Sequence, residues 1–533
     1  MWLQRCLVAL ALASQPTAAR TVDPAGGNPP AGATLDPATL AATGSVTVPA
    51  PDLGATATPV PAPTPDAGAA SRDRVAGTPA PSLAPGNPSS PQVGITPPAA
   101  LSATAVSVVP PAPARYSDAW VEAQLADLHA RYPRLTRLVE LGRSHEGRPL
   151  RALVIGRKLK KRDPRPAMLL NGAHHGVEIL SIDMVLDAID VLLLRSGGKR
   201  GTKGADSELA AHAKEPVLRL DPALDRRVKR WLDELVVWCV PVVNPDGVWA
   251  TLNGHPRTGR KNGRDTDENG RIDAMDGVDL NRNYPFRWGA LGEVGSSSKP
   301  SSFYYRGPEA GSEPETRAMM RLAESEHFVG AISYHTGTVA VLSPYTIDNV
   351  QDPEPNEAWQ IGEHLIAGLP PHPQGKPFVL KRKLYSVDGT DQDFYRFHFG
   401  TLAYLVEAAR RDAKDESERV AIVRSVRPSW MRLFDRFIDG PAISGRVLDA
   451  SGQPLRAAVQ IVEQQPREGE VWHSRCRDGR FDRFVPSPGR YTVRVLAEGV
   501  PAVDQVVEVT SGRSVIEIRV PMVARKPACQ PHP

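Results

Sequence analysis

The sequence predicts an α/β fold, a mixed, largely parallel sheet flanked by helices on each side, followed by a small all-β sandwich. Three observations carry that prediction. Between residues 116 and 440, short apolar runs alternate with amphipathic helical patterns, the order expected when helices join the strands of one sheet. Most of those runs are apolar at nearly every position, as in strands covered on both faces. Beyond Asp439 the texture changes to short strands separated by Asp-Gly and Pro-Gly turns.

The elements follow in chain order. A first helix is predicted over residues 120–132, where Val121, Leu125, Leu128 and Tyr132 recur at helical spacing. Strands are predicted at 150–155, 168–171, 235–243, 328–334, 339–342 and 401–406, and helices at 179–194, 313–326, 359–369 and 419–437. The last should kink or break at Pro428, which lacks an N–H and clashes with the preceding turn. The C-terminal strands are predicted at 442–447, 458–462, 490–495 and 514–518.

A chain of 533 residues is too long for one core. Charged residues at 23% and hydrophobic ones at 41% are ordinary for a globular protein, but 52 prolines are about twice average usage and crowd the N-terminal region. A net charge of +4 without a basic stripe excludes nucleic acid as a partner. Residues 1–19 combine a basic start, a short apolar run and a small-residue end, which predicts a signal peptide; a core helix is the alternative. Residues 20–115 are Pro/Ala/Thr-rich and cannot bury enough surface to offset ordering entropy, so a disordered linker is expected, with a cleaved propeptide as the alternative. The remaining boundaries are 116–440 for an α/β catalytic domain, 441–522 for the β-sandwich and 523–533 for a tail. No later segment is a candidate transmembrane helix. An exported protein, periplasmic or extracellular, held near the envelope by its linker and monomeric, is the expectation. Removing the leader leaves Cys239, Cys476 and Cys529, an odd count; Cys239 reads as a buried thiol, and pairing of Cys476 with Cys529 stays open.

The chemistry gathers at strand ends. The strand at 168–171 runs into Gly172-Ala173-His174-His175-Gly176-Val177-Glu178 and then a helix, placing His175 and Glu178 where open α/β sheets bind ligands. A histidine and a carboxylate three residues apart can share one zinc ion. The spacing alone is weak: His212 and Glu215 have it too, in a charged stretch with no strand before it, and read as solvated loop. His335 ends another buried strand and can supply a third ligand. Glu407 ends the strand at 401–406, and a carboxylate in so apolar a run needs a partner or a raised pKa.

These residues belong to an ordered set: His175-Gly-Val-Glu178, Asn244-Pro-Asp-Gly247, Arg260, Asp279-Leu-Asn281-Arg282-Asn283, Tyr305-Arg-Gly-Pro308, Ser312-Glu-Pro-Glu315, His335, Tyr385 and Glu407. Over residues 116–440 this set resembles the zinc carboxypeptidase family. The resemblance implies one zinc held by His175, Glu178 and His335, with Glu407 as general base for the zinc-activated water and then acid for the leaving amine. It implies Arg260 as the stabiliser of the oxyanion, and Asn281, Arg282 and Tyr385 as the clamp for a terminal carboxylate. Gln392, within Asp388-Gly-Thr-Asp391-Gln392-Asp393, falls nearest the base of the pocket for the terminal side chain, and with Asp391 favours a polar or basic one. Asp279 stands where the family keeps an aspartate that orients the first zinc histidine. The motifs Gly445-Arg-Val, Gly452-x-Pro-Leu, Asp478-Gly-Arg-Phe481 and Pro488-Gly-Arg-Tyr491 resemble the transthyretin-like domain that follows regulatory carboxypeptidases.

Between Arg260 and Asp279 lies a segment with Asp265, Asp267, Asn269, Arg271, Asp273 and Asp276 at loop positions 1, 3, 5, 7, 9 and 12, and Gly270 at position 6. This matches a calcium loop of EF-hand type, with Asp276 in place of the usual glutamate; a solvated acidic loop is the alternative. The expected function is removal of the C-terminal residue from peptides or proteins outside the cytoplasm. The alternatives are a peptidase of the same family acting on peptidoglycan stem peptides and a non-catalytic binding module.

Overall fold

The computed structural model describes residues 113–197 and 221–521. The predicted leader, nearly all of the predicted linker, His212, Glu215, Cys529 and the tail lie outside them.

In chain order the elements are α1 (Asp118–Arg131), β1 (Thr136–Arg143), β2 (Pro149–Ile155), β3 (Ala167–Gly172), α2 (Leu180–Arg195), α3 (Pro222–Glu234), β4 (Val236–Val240), α4 (Pro245–Leu252), α5 (Pro314–Glu326), β5 (Gly330–His335), β6 (Val339–Leu342), α6 (Glu357–Ile366), β7 (Leu380–Lys381), α7 (Asp391–Phe399), β8 (Leu402–Ala408) and α8 (Glu416–Ile438). The eight strands form one sheet in the order β1-β2-β4-β3-β5-β8-β6-β7. Its centre, β4-β3-β5-β8, is parallel. Antiparallel pairs flank the centre, β2 with β4 and β6 with β8, and the edges are β1, antiparallel to β2, and β7, parallel to β6.

The central strands are covered on both faces. In β3, Met168 and Leu170 join the cluster formed with α2, α3 and α8, while Ala167 and Leu169 join the opposite cluster with α5 and α7. Alternation of side chains across the pleat therefore feeds two cores from one strand. Proline at the first helical position starts α3 and α4, where Asp221 and Asn244 cap the free N–H groups; Asn244 Oδ1 accepts from Gly247 N at 2.8 Å. Of the kink or break expected at Pro428, the break is corrected here: α8 runs on through the proline. Buried Ile422 and Val426 before it, and Trp430, Leu433 and Phe434 after it, pack into the same core and hold the segment.

After α8 come β9 (Ala442–Leu448), β10 (Ala458–Ile461), β11 (Arg480–Phe484), β12 (Gly489–Leu496), β13 (Val503–Val509) and β14 (Arg513–Arg519). They make two three-stranded sheets, β10-β12-β13 and β11-β9-β14, around Ile443, Val459, Phe481, Tyr491, Val493 and Val507. Cys239 is buried and free, whereas Cys476 is disulfide-bonded.

Candidate metal centre and substrate pocket

The C-terminal ends of β3, β5 and β8 lie side by side. In the register Gly172 faces Tyr334, and His335 faces Glu407. Past Gly172 the chain turns sharply, and Ser181 Oγ closes the turn by donating to Glu178 O at 2.6 Å and accepting from Ala173 N at 2.9 Å. His175 and Glu178 are thereby held between β3 and α2. The turn also meets α4 backbone to backbone: a Cβ on Gly176 would lie 2.1 Å from Gly247 C and Val248 N.

His175, Glu178 and His335 are buried, with one ligand atom of each within 4.8 Å of the others. Glu178 presents one oxygen to each ring: Oε1 is 2.7 Å from His175 Nδ1, and Oε2 is 3.0 Å from His335 Nδ1. The far nitrogens are engaged elsewhere, His175 Nε2 with Asp279 Oδ1 at 3.1 Å and His335 Nε2 with Ser333 Oγ at 3.2 Å. Both Nδ1 atoms thus converge with a carboxylate, which is the donor set that tetrahedral zinc accepts. Burial alone would raise the Glu178 carboxyl, but His175 and His335 outweigh it and hold the group well below the usual carboxylate range.

Asp279 joins this cluster to Arg260. Its second oxygen accepts from Arg260 Nε at 2.9 Å and Nη2 at 2.6 Å, and Arg260 Nη1 reaches to 3.3 Å from His175 Nδ1. Burial pushes the Asp279 carboxyl up, but Arg260 and His175 drive it well below its ordinary value. The Arg260 guanidinium also stacks on Phe303 and Tyr304, at 5.3 and 5.1 Å from the ring centroids.

Glu407 receives a hydrogen bond from the Thr338 backbone and keeps one oxygen uncommitted. Its Oε2 is buried and has no hydrogen-bond partner among the described residues, and a Cβ on Gly337 would sit 3.5 Å from it. Burial, followed by the charge of Glu178, pushes its pKa up to about 7, against the pull of His335 and Arg260. A base near neutrality beside a metal donor set suits proton transfer at physiological pH.

Arg282, one of the candidate substrate residues, shares the Tyr304 ring with Arg260, its guanidinium 5.7 Å from the centroid. Arg282 donates from Nη2 to Tyr385 Oη at 3.1 Å, from Nη1 to Asn281 O at 2.7 Å and from Nε to Gly295 O at 3.0 Å. Tyr385 is half exposed, while Arg282 is buried. Asn281 Oδ1 accepts from Asp391 N at 2.9 Å, which links the arginine segment to the start of α7. Along that start, Asp388 Oδ1, Asp391 Oδ2 and Gln392 Oε1 are buried acceptors without hydrogen-bond partners among the described residues.

The acidic loop is only partly gathered. Asp265, Asp267 and Asp276 each place one oxygen within 4.8 Å of the others. Gly270 N donates to Asp265 Oδ2 at 2.7 Å, and Asn269 Nδ2 to Asp267 Oδ2 at 2.8 Å. Asp273 turns aside to accept from Met275 N at 2.8 Å, and Asn269 Oδ1 accepts from Arg271 N at 2.8 Å. Lys261 ties the loop to the aromatic segment, donating to Met275 O, Pro300 O and Ser302 O at 3.0, 2.8 and 3.2 Å.

Sequence reasoning missed several members of the site. His174 is fully buried, lies parallel to His335 with centroids 5.7 Å apart, and has Nε2 3.0 Å from Tyr284 Oη. Its place beside His175 in the His-His pair was the available signal. The roles of Ser333 behind His335 and of Thr336 N, 3.1 Å from Glu178 Oε2, emerge only from the fold.

Comparison with known proteins finds relatives for this chain. The family model described as zinc carboxypeptidase matches residues 121–417. Metallocarboxypeptidase A of Trichophyton tonsurans is 28% identical over 277 residues, 51% of this chain and 57% of that protein, so the match spans little more than half of the relative's length. Carboxypeptidase E of Caenorhabditis elegans is 23% identical over 422 residues, covering 72% of this chain and 81% of its own. Among solved structures, carboxypeptidase A from Helicoverpa armigera aligns with a TM-score of 0.45 at 22% identity, covering 60% of this chain and 71% of that one.

Proposed function

This chain belongs to the zinc carboxypeptidase family, and from that premise we propose that it hydrolyses the C-terminal residue of peptides or proteins. The observation that carries the proposal is Glu407, a half-buried residue whose Oε2 is buried and free of hydrogen-bond partners among the described residues, beside three converging zinc donors. Bound to His175, Glu178 and His335, zinc would supply a Lewis acid and lower the pKa of a coordinated water. Glu407 takes the proton from the attacking water and returns it to the leaving amine nitrogen. Arg260, fixed by Asp279, donates to the carbonyl oxygen as negative charge develops there. Arg282, Asn281 and Tyr385 receive the terminal carboxylate, for which a guanidinium fork has matching geometry. Gln392, with the unpartnered acceptor of Asp388 and with Asp391, whose Oδ2 lies 3.6 Å from His174 Nε2, favours a polar or basic terminal side chain.

The rest of the proposal concerns organisation. We assign 116–440 as the catalytic domain and 441–522 as a transthyretin-like β-sandwich, the latter supported by its motifs and its two three-stranded sheets. Export rests on the N-terminal sequence; among the described residues no helix is long and apolar enough to cross a membrane. Calcium at residues 265–276 rests on the loop pattern and on the gathering of Asp265, Asp267 and Asp276.

The test is hydrolysis of matched peptides ending in Arg, Phe and Glu, run beside peptidoglycan stem peptides, with the parent and Glu407→Gln. The parent should release single C-terminal residues. Glu407→Gln should keep stoichiometric zinc and lose about 10²- to 10⁴-fold in turnover, the usual contribution of a general base. Release from stem peptides alone would replace the substrate, and equal activity of parent and variant would remove Glu407 from the mechanism.

A further inference from the structure

Between β10 and β11 the C-terminal unit sends a loop, residues 463–472, onto the α/β unit. Glu354 and Gln465 form an antiparallel bridge, with N–H to O distances of 3.0 and 2.8 Å. Glu468 accepts from Gln351 N at 2.8 Å and from Arg287 Nη2 at 2.7 Å. Glu470 is buried and accepts from Tyr345 Oη at 2.8 Å through Oε1, while Oε2 takes the N–H groups of Arg467 and Glu468 at 3.1 and 3.0 Å. Trp472 donates to Phe397 O at 3.1 Å, at the end of α7, and lies against the guanidinium groups of Arg396 and Arg483.

The segment that this loop grips leads to the neighbours of the candidate substrate residues. Next to Tyr345, Thr346 donates its N–H and its hydroxyl to Asp393 Oδ2 at 2.9 and 2.8 Å, and Asp393 adjoins Gln392. Asp348 N donates to Ser386 Oγ at 2.7 Å, and Ser386 adjoins Tyr385. The Tyr345 ring stacks on Phe286 with centroids 5.1 Å apart, four residues beyond Arg282. The links from Glu470 through Tyr345 and Thr346 to Asp393 are buried hydrogen bonds and covalent neighbours, so a shift at Glu470 has little slack in which to die out on the way to Gln392, while the link to Ser386 beside Tyr385 is an exposed hydrogen bond.

We infer that the loop of the C-terminal unit positions the terminal-residue pocket, Glu470 acting through Tyr345 on the segments that carry Gln392 and Tyr385. This rests on the proposal that Gln392 and Tyr385 meet the substrate. Glu470 is a positioning residue, not a catalytic one, and no step of the chemistry passes through it. The consequence is that the second unit shapes terminal-residue preference from outside the pocket.

The experiment compares the zinc-loaded full chain with Tyr345→Phe, Glu470→Leu, Glu470→Gln and the double variant Tyr345→Phe/Glu470→Leu. Kcat and KM are measured on peptides differing only in a terminal Arg, Phe or Glu, together with zinc content and melting temperature. Tyr345→Phe and Glu470→Leu should raise KM and change the preference ratios by about 2- to 30-fold, the range of coupling through such networks, with zinc content at the parental level. The double variant should show no more than the larger single effect, since both remove one link. Glu470→Gln keeps an acceptor oxygen and should restore most of the parental preference. An active parent whose variants keep parental KM and parental ratios, even with lowered melting temperatures, would overturn the inference alone. A parent inactive on every C-terminal peptide would overturn the proposed function, and this inference with it. If Glu470→Leu does not fold, Tyr345→Phe, which deletes one hydroxyl, decides the matter.

Discussion

Asp279 and His175 meet at 3.1 Å, from Oδ1 to Nε2, while the other oxygen of Asp279 carries Arg260. One buried carboxylate therefore sets the ring that would face the metal and the cation that would face the substrate oxygen. By accepting from Nε2 it favours the tautomer protonated there, which would leave Nδ1, 2.7 Å from Glu178 Oε1, as the metal donor once zinc is bound. Asp279→Ala should weaken zinc binding about 10- to 100-fold, the usual cost of removing such a support, as read by chelator competition. At zinc occupancy matched to the parent it should still lower kcat, because Arg260 is released at the same time. Unchanged zinc affinity would mean that the His175 ring is oriented by its packing alone.

Arg282 uses all three of its nitrogens. It spans Gly295 O, Asn281 O and Tyr385 Oη, so the guanidinium plane is fixed before any carboxylate arrives. A lysine keeps the charge and loses the fork. Arg282→Lys should raise KM for C-terminal peptides about 10- to 100-fold, the equivalent of one charge-assisted hydrogen bond of about 1.5–3 kcal/mol. Peptides with an amidated C-terminus should be poor substrates for both proteins. Steady-state kinetics on matched acid and amide peptides checks this, and parental KM in the variant would place the clamp elsewhere.

How far the sequence reaches can be read from particular residues. His175, Glu178, His335 and Glu407 were legible because each follows a run of apolar residues that forms a buried strand, β3, β5 or β8. By contrast α7 hides its helical period, since Asp391, Gln392, Asp393 and Arg396 are buried by tertiary partners, and polar residues inside a core defeat a hydrophobic pattern. The edge strand β1 carries Arg137, Glu140 and Arg143 and is largely half-buried, so it shows no clean alternation. Strand β13 was missed for a similar reason, with mostly partly exposed residues. Pro428 misled in the other direction, because packing on both sides of it outweighs the lost backbone bond. The acidic loop shows the limit of spacing: Asp273 has the right position and turns to Met275 instead.

Asp190 gives a pH prediction away from the site. It lies buried on α2 with Oδ2 unpartnered among the described residues, and burial, followed by the charge of Asp187, raises its carboxyl to about 8. The folded state thus holds a proton that the unfolded chain releases near pH 4. Stability from that proton is fully present below about pH 4 and is lost progressively as pH rises toward 8. Asparagine has the shape of the neutral acid and does not titrate. The melting temperature of Asp190→Asn relative to the parent should therefore climb between pH 5 and pH 9. Parallel melting curves across that range would show that Asp190 is already charged in the folded protein.

Gly176 should be the least replaceable residue of the metal turn. It lies between His175 and Glu178, and a Cβ there would come within 2.1 Å of Gly247 C and Val248 N and 2.6 Å of Gly247 O. Those are backbone atoms at the start of α4, whose own position is fixed by Asn244 through Gly247 N at 2.8 Å, His174 O at 3.2 Å and Arg260 O at 3.2 Å. Neither side can yield by turning a side chain. Gly176→Ala must push the turn away from α4, which displaces His175, or push α4 away, which displaces Arg260. Either route should destabilise the protein by more than about 3 kcal/mol, at the large end of single substitutions, and abolish stoichiometric zinc binding. By contrast, Gly270→Ala, whose added Cβ meets nothing within 4 Å, should bind zinc as the parent does despite its positive φ of 78°. Thermal melts and zinc content of the two variants side by side make the comparison, and a folded, zinc-loaded Gly176→Ala would show that the turn and α4 can separate without loss of the site.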